Sequence, residues 1–246
     1  MHELPQEPAG AVRLLTLDDV SDSGRKNCFG YPLIGWQSTS MGSGGLFNPR
    51  GFAMLRVVVQ KIVEGRLEDI YDQPMIVENA GAIAVCTLGR KVGMVQNFRL
   101  VGERIAAAPG DYVAQLNTEE RWGELMASLG QWQWELPRGL APPTNEADLE
   151  KFIIECAKLE ALEEAGVHVA NSRIAGRYNA NPTFYPHAQY VVAADIESIG
   201  EQQPEDLEMM GEMALFSAEE IRAMVTAGQL TDSLTLAGLA VAGFHF

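Results

Sequence analysis

Hydrophobic and polar positions along the chain alternate between two periods. Phe52 to Val63, FAMLRVVVQKIV, is dense in β-branched residues and precedes Gly65, which predicts a long strand ending at a turn. Met75 to Val77 is a second short apolar run suited to pair with it. Ala80 to Leu88 and Val92 to Arg99 predict a hairpin around Gly89-Arg90-Lys91, and Glu135-Leu136 a further strand, broken by Pro137 and Gly139 into a loop. Between them Val101 to Gln133 reads as an insertion holding a helix from Glu119 to Leu129.

A helical period takes over after residue 143. Thr144 or Asn145 is suited to cap a helix that reaches Ala165, with Glu146 and Asp148 in its first turn. Ile153, Ile154, Ala157, Ala161 and Ala165 form its predicted buried side, and Gly166 its left-handed end. Gln189 to Ile196 follows as a strand. Ser217-Ala218-Glu219-Glu220 is a capping box opening a helix that Gly228 closes, and Leu234 to Val241 is a last helix capped near Thr231 or Asp232. Mixed strands with intervening helices and no internal repeat predict an α/β sandwich. Residues 1–50, rich in Gly, Ser and Pro, read as an irregular segment ahead of one domain over 51–246.

Composition narrows the class. The chain has 246 residues, 47% hydrophobic and 21% charged, with a mean hydropathy of −0.04. No run approaches the length of a membrane span, and MHELPQEPAG has neither the basic nor the apolar part of a secretion signal. Cys28, Cys86 and Cys156 are unclustered, which argues against a disulfide framework or a zinc site and fits a reducing cytoplasm. A formal charge of −15 argues against binding a nucleic-acid backbone, but not against a small phosphorylated ligand whose charge a metal offsets.

The chemistry concentrates in ECAKLEALEEAGV, Glu155 to Val167. Glu160, Glu163 and Glu164 stand at the i, i+3, i+4 spacing that puts their carboxylates on one helical face. Like charges so placed destabilise a bare helix, and the last turn is where the macrodipole disfavours acids. A hard divalent cation, Mg2+ or Mn2+, bridged to a phosphate explains the cluster; a solvated surface is the plainer alternative.

These residues resemble the signature of the Nudix hydrolases, in the ADP-ribose pyrophosphatase-like branch. LEALEEAGV places Glu160, Glu163, Glu164 and Gly166 on the family's glutamate and glycine positions, and Gly139 of ELPRG on its opening glycine. Leu159 stands where the family has an arginine that braces the carboxylates, Lys151 where it has an earlier glutamate, and the loop around APPTNEADLEK is stretched. GAIAVCTLGRKVGMVQNFR is similar to the family's first hairpin, with Arg99 matching its terminal arginine. GQLTDSLTLAGL is similar to the closing segment, with Asp232 and Thr235 matching.

The resemblance implies a Nudix-type α/β/α sandwich and a metal-dependent pyrophosphohydrolase for ADP-ribose or a nucleotide sugar. Glu160, Glu163 and Glu164 would hold the metal, with Glu160 and Glu164 catalytic. Arg99 and Arg138 are candidates to clamp a diphosphate, or are ordinary surface arginines. Glu135 is either a further acid at the site or a strand residue facing solvent. NANPTFYPHAQ, Asn179 to Gln189, lies where such pyrophosphatases often carry a glutamate that activates water; it has no acid, leaving His187 as a replacement base or a structural hydrogen-bonder. Phe184, Tyr185, Trp122, Trp132 and Trp134 are candidates for base stacking or for packing. The departures admit a second reading, a catalytically impaired nucleotide sensor or interaction module. The implied partner is a small nucleotide, with no nucleic acid and no membrane, and residues 1–50 are candidates to mediate a homodimer.

Overall fold

The computed structural model describes residues 10–15, 52–63, 66–78, 80–100, 130–140, 148–204 and 209–246. The expected helix at Glu119–Leu129, the caps Thr144 and Asn145, Trp122, Cys28, the Gly65 turn and most of residues 1–50 lie outside them. The chain divides into two compact units: Met1–Ala80 with Leu140–Asn145 and Asn179–Gln189, and Gly81–Gly139 with Glu146–Tyr178 and Tyr190–Phe246.

The first unit is built on an antiparallel sheet of β1 (Gly10–Leu15), β2 (Phe52–Val63) and β3 (Arg66–Glu78), in that order. β2 has the span that its β-branched run predicts. β3 is far longer than Met75–Val77, because pairing from Phe52↔Glu78 to Val63↔Arg66 carries the polar RLEDIYDQ stretch along β2, with a bulge between Val59 and Gln60. β1 corrects the reading of residues 1–50 as irregular throughout: GAVRLL alternates, and it pairs Gly10↔Lys61 to Leu15↔Arg56.

In the second unit a mixed sheet runs β10 (Met210–Ser217), β5 (Lys91–Leu100), β4 (Gly81–Leu88), β9 (Gln189–Ile199), β8 (Val167–Tyr178). β6 (Gly130–Glu135) also pairs with β5, and β7 (Arg138–Leu140) with β4. Two corrections follow. The expected insertion ends earlier than Gln133, since Gly130–Gln133 belongs to β6, and part of the expected ELPRG loop is strand, with Ala84 N–H donating to the Pro137 carbonyl at 2.8 Å. The β4–β5 turn is tighter than expected, Leu88 pairing directly with Lys91, and Gly89 supplies the positive φ of 61° at its first position.

Helices cover both faces of this sheet. β4 is buried from Ala82 to Cys86 without alternation, as a strand covered on both sides must be. Ile83 and Val85 join a core with Leu136, Ile221 and Met224 of α2 (Ala218–Thr226), and Leu239 of α3 (Ser233–Val241). Gly238 lets α3 approach: a Cβ there would stand 2.9 Å from Leu136 Cδ1. The small opposite face, Ala82, Ala84 and Cys86, is left for α1 (Leu149–Ala165), which also packs on β8. The arrangement is an α/β/α sandwich. Ser217 and Glu220 form the predicted capping box, and Gly228 follows the α2 end with φ 67°.

Candidate active site

α1 starts later than the sequence suggests. Its N-cap is Asp148, whose side chain accepts from Lys151 N–H, leaving Glu150 as the acid of the first turn. Ile153, Ala157, Ala161 and Ala165 are buried as predicted, whereas Ile154 is only half-buried; Cys156 and Glu164 complete the buried stripe. Gly166 ends the helix with φ 65°, and a Cβ there would also meet the Gly200 carbonyl at 2.7 Å. The carbonyls left over at this end find donors downstream, Gln203 N–H on Glu163 and the Gln202 amide on Glu164.

Two of the three signature carboxylates gather on the ELPRG segment. Glu164 is 2% exposed, and its Oε2 accepts from the Arg138 backbone N–H at 2.8 Å. Glu160 lies against Gly139 so closely that a Cβ there would collide with its carboxylate. The space a side chain at residue 139 would need is thus taken by a neighbouring acid. Glu163 is half-buried on the same turn. Leu159 is exposed, and Glu155, the residue suited to partner an arginine there, instead pairs with Lys158 at the surface.

Next to Glu164 lies a network of opposed charges. Glu135 is 2% exposed and faces inward, which corrects the alternative of a solvent-facing strand residue. Its carboxylate takes Arg99 Nε and Nη2 (2.8 Å for the latter) and Arg138 Nη2 at 2.9 Å. Arg138 Nη1 goes to Asp232, the N-cap of α3. A buried carboxylate between two guanidiniums is the arrangement in which an ion pair offsets its own desolvation. Burial pulls the Arg99 guanidinium down, but the hydrogen bonds and charge of Glu135, with Glu164 and Asp232 behind it, hold it above its ordinary value. Burial alone would raise the Asp232 carboxyl; the charge and hydrogen bond of Arg138 and the Thr235 contacts outweigh it and lower it. Thr235 also accepts the Leu136 N–H at 2.9 Å through its hydroxyl, so the closing segment is tied to both ends of the Glu135–Arg138 stretch.

Hard carboxylate oxygens on a cradle of glycine and backbone N–H suit magnesium or manganese. Among the described residues, however, no three His, Cys, Asp or Glu side chains stand together as a ready-made metal cage. Magnesium does not require one: it is commonly held by one or two carboxylates, water and the substrate's own phosphates.

No protein-family model matches the chain, and no curated protein does. Among solved structures, one described as an ADP compounds hydrolase matches 91% of this chain and 95% of its own, with 11% identity and a TM-score of 0.51. A NUDIX hydrolase from Nitrosomonas europaea matches 68% of this chain and 91% of its own, with 19% identity and a TM-score of 0.42. The likeness to the ADP compounds hydrolase shows a shared fold.

Within that fold Arg99, Glu135, Arg138, Glu160 and Glu164 all lie in the second unit. His187 belongs to the first, where its Nε2 accepts the Glu78 N–H at 3.2 Å and thus serves as a hydrogen-bonder to β3. In the same segment Phe184 is exposed, Tyr185 half-buried, and the Phe184 carbonyl accepts from Ile76 N–H. Trp132 is half-exposed and edge-on to Phe98, while Trp134 packs edge-on to Phe216. Asp232, matched to the Nudix closing segment but not singled out as a site residue, proves to be the second partner of Arg138. The sequence offered Asp232 as an acid at a predicted N-cap, but not its pairing with Arg138, 94 residues away.

Proposed function

We propose that this chain is a Nudix-type hydrolase that cleaves the phosphoanhydride of a nucleoside diphosphate joined to another moiety, of the ADP-ribose or nucleotide-sugar kind, with a divalent metal. The observation that carries the reading is the seating of Glu160 on Gly139 beside Glu164 on the Arg138 N–H. Two hard oxygen donors from one helix face are thereby gathered on the Arg138–Gly139 strand segment.

Charge gives the reading its sign. Glu135, Glu164 and Asp232 outnumber Arg99 and Arg138, and Glu160 and Glu163 add to the excess, so a bare diphosphate meets net negative charge. A bound cation reverses that, polarising the phosphoryl oxygens and neutralising the leaving group. Glu160 and Glu164 are its holders in this proposal, with Glu163 on the same face. Arg99 is the residue to take the diphosphate: its side chain is 40% exposed, and Glu135 occupies Nε and Nη2 while Nη1 stands outside that fork. Arg138, 13% exposed and held by both Glu135 and Asp232, positions rather than clamps. Glu135 holds both guanidiniums on one carboxylate.

The test is replacement of Glu160 and of Glu164 by Gln, with release of product from ADP-ribose and from nucleotide sugars followed under magnesium and manganese. Loss of turnover with an unchanged melting temperature is expected; undiminished turnover removes the helix carboxylates from the reaction.

A second reading has its own support. The saturation of Arg138 by two internal carboxylates and the leucine at 159 suit a nucleotide-binding sensor without turnover. Calorimetric binding of ADP-ribose with no hydrolysis under either metal would select it. A cytoplasmic setting and a homodimer through the N-terminal region belong to the proposal in both forms. Among the described residues no helix is long and apolar enough to cross a membrane.

A further inference from the structure

A cavity of about 390 Å³ lies away from the carboxylate helix, lined among others by Val85, Thr87, Asn171, Arg173, Asp195 and Phe244. It is separate from the site above. α3 carries Asp232 into the arginine network at its N-cap, whereas residues past its other end, Ala242 to Phe244, close the cavity. Its size lies in the range of small-molecule pockets.

The lining is polar on one side and apolar on the other. Val85, Ala193, Ala242 and Phe244 supply the apolar part. Asn171 adopts φ 52°, a left-handed conformation that non-glycine residues seldom take inside a strand, and from there its amide donates to Asp195 Oδ2 at 2.9 Å. That bond fixes the carboxylate and leaves Oδ1 to other partners. Arg173, two residues further along β8 and on the same face by alternation, makes no ion pair or hydrogen bond among the described residues. A guanidinium and an oriented carboxylate thus share one pocket with no ion pair between them among the described residues.

We propose that this cavity is a second ligand site, and that it takes a free α-amino acid. Arg173 receives the carboxylate as a forked pair, Asp195 receives the ammonium, and the apolar wall at Phe244 and Val85 receives the side chain. The C-terminal end of α3, with its partial negative charge, favours the ammonium and disfavours a phosphate dianion at that end. The zwitterion is the small solute whose charges match both halves.

The experiment is calorimetric titration of the full chain with each standard L-α-amino acid. The best binder's methyl ester and N-acetyl derivative, and inorganic phosphate, serve as comparisons. Saturable binding of an amino acid is expected, with either derivative bound about tenfold or more weakly. Arg173→Met and Asp195→Asn, both at exposed positions, are expected to weaken it by about as much at an unchanged melting temperature. Glu160→Gln is expected to bind the amino acid as the unmodified chain does, so failure of the hydrolase reading leaves this result standing. No saturable binding of any amino acid, binding indifferent to Arg173→Met, or tighter binding of phosphate overturns the proposal.

Discussion

Asp232 holds Arg138 and the first turn of α3 with the same oxygen: Oδ2 accepts both Arg138 Nη1 and the Thr235 backbone N–H. The last helix is therefore not an independent element packed behind the site. Its cap is a component of the arginine network, and whatever displaces Arg138 also disturbs the cap.

Asp232→Asn separates the two roles, because Asn caps about as well as Asp but carries no charge. Breaking a largely buried ion pair on one side is expected to cost about 3 kcal/mol in urea denaturation at neutral pH. The Asp232 carboxyl is lowered in the fold, so its stabilisation is complete above its unfolded pKa and is lost as pH falls through the lower native value. The acid limb of the stability profile should flatten in the variant. An unchanged limb would assign the acid sensitivity to other carboxylates.

Gly139→Ala tests whether the Glu160 seat matters to function more than to folding. The added Cβ strikes the far end of a flexible carboxylate, which can swing away at small cost to stability. A donor displaced from its seat is expected to weaken manganese affinity and turnover by about ten- to a hundredfold. Titration of manganese against both proteins, beside their melting curves, gives the comparison; equal affinity would mean that the seat is only packing.

Cys86 is 1% exposed, and burial pushes its thiol up to about 12, so at pH 8 it is a protonated core residue. Cys156, also buried, sits with Sγ 3.8 Å from the Gly139 carbonyl. Neither is expected to react with iodoacetamide in the native chain, and both should react in urea. Mass spectrometry of tryptic peptides reads the result, and rapid native labelling of Cys86 would contradict its burial.

Local signals made α1, its Gly166 end, both later helices and β2 legible: caps, period and β-branching act within a few residues. β8 was not legible, because VHVANSRIAGRY alternates weakly, contains glycine and has Asn171 in a left-handed conformation; only pairing within the sheet makes it a strand. β3 likewise owes its polar half to β2. The helix start was misplaced because Asp148 caps as well as Thr144 or Asn145 and sequence alone does not rank them. At the site the carboxylate helix and both arginines were legible as residues, but their pairing was not. Glu135 is buried only because Arg99 from β5 and Arg138 from β7 converge on it, a relation of separate segments that no local pattern encodes.

Leu159→Arg asks what the absent signature arginine costs. Leu159 is 43% exposed on α1, so an arginine introduced there starts in solvent. Meanwhile Glu164 is anchored by the Arg138 N–H, and Arg99 already contributes positive charge to it. The brace has in effect moved from the helix to the strand ends, and restoring the helix arginine is expected to change turnover by less than about tenfold, the lower bound typical of losing a supporting residue. Steady-state rates on ADP-ribose under magnesium decide it. A gain beyond that bound would show that the guanidiniums of Arg99 and Arg138 do not substitute for the missing one, and that the chain is held below its capacity by a single side chain.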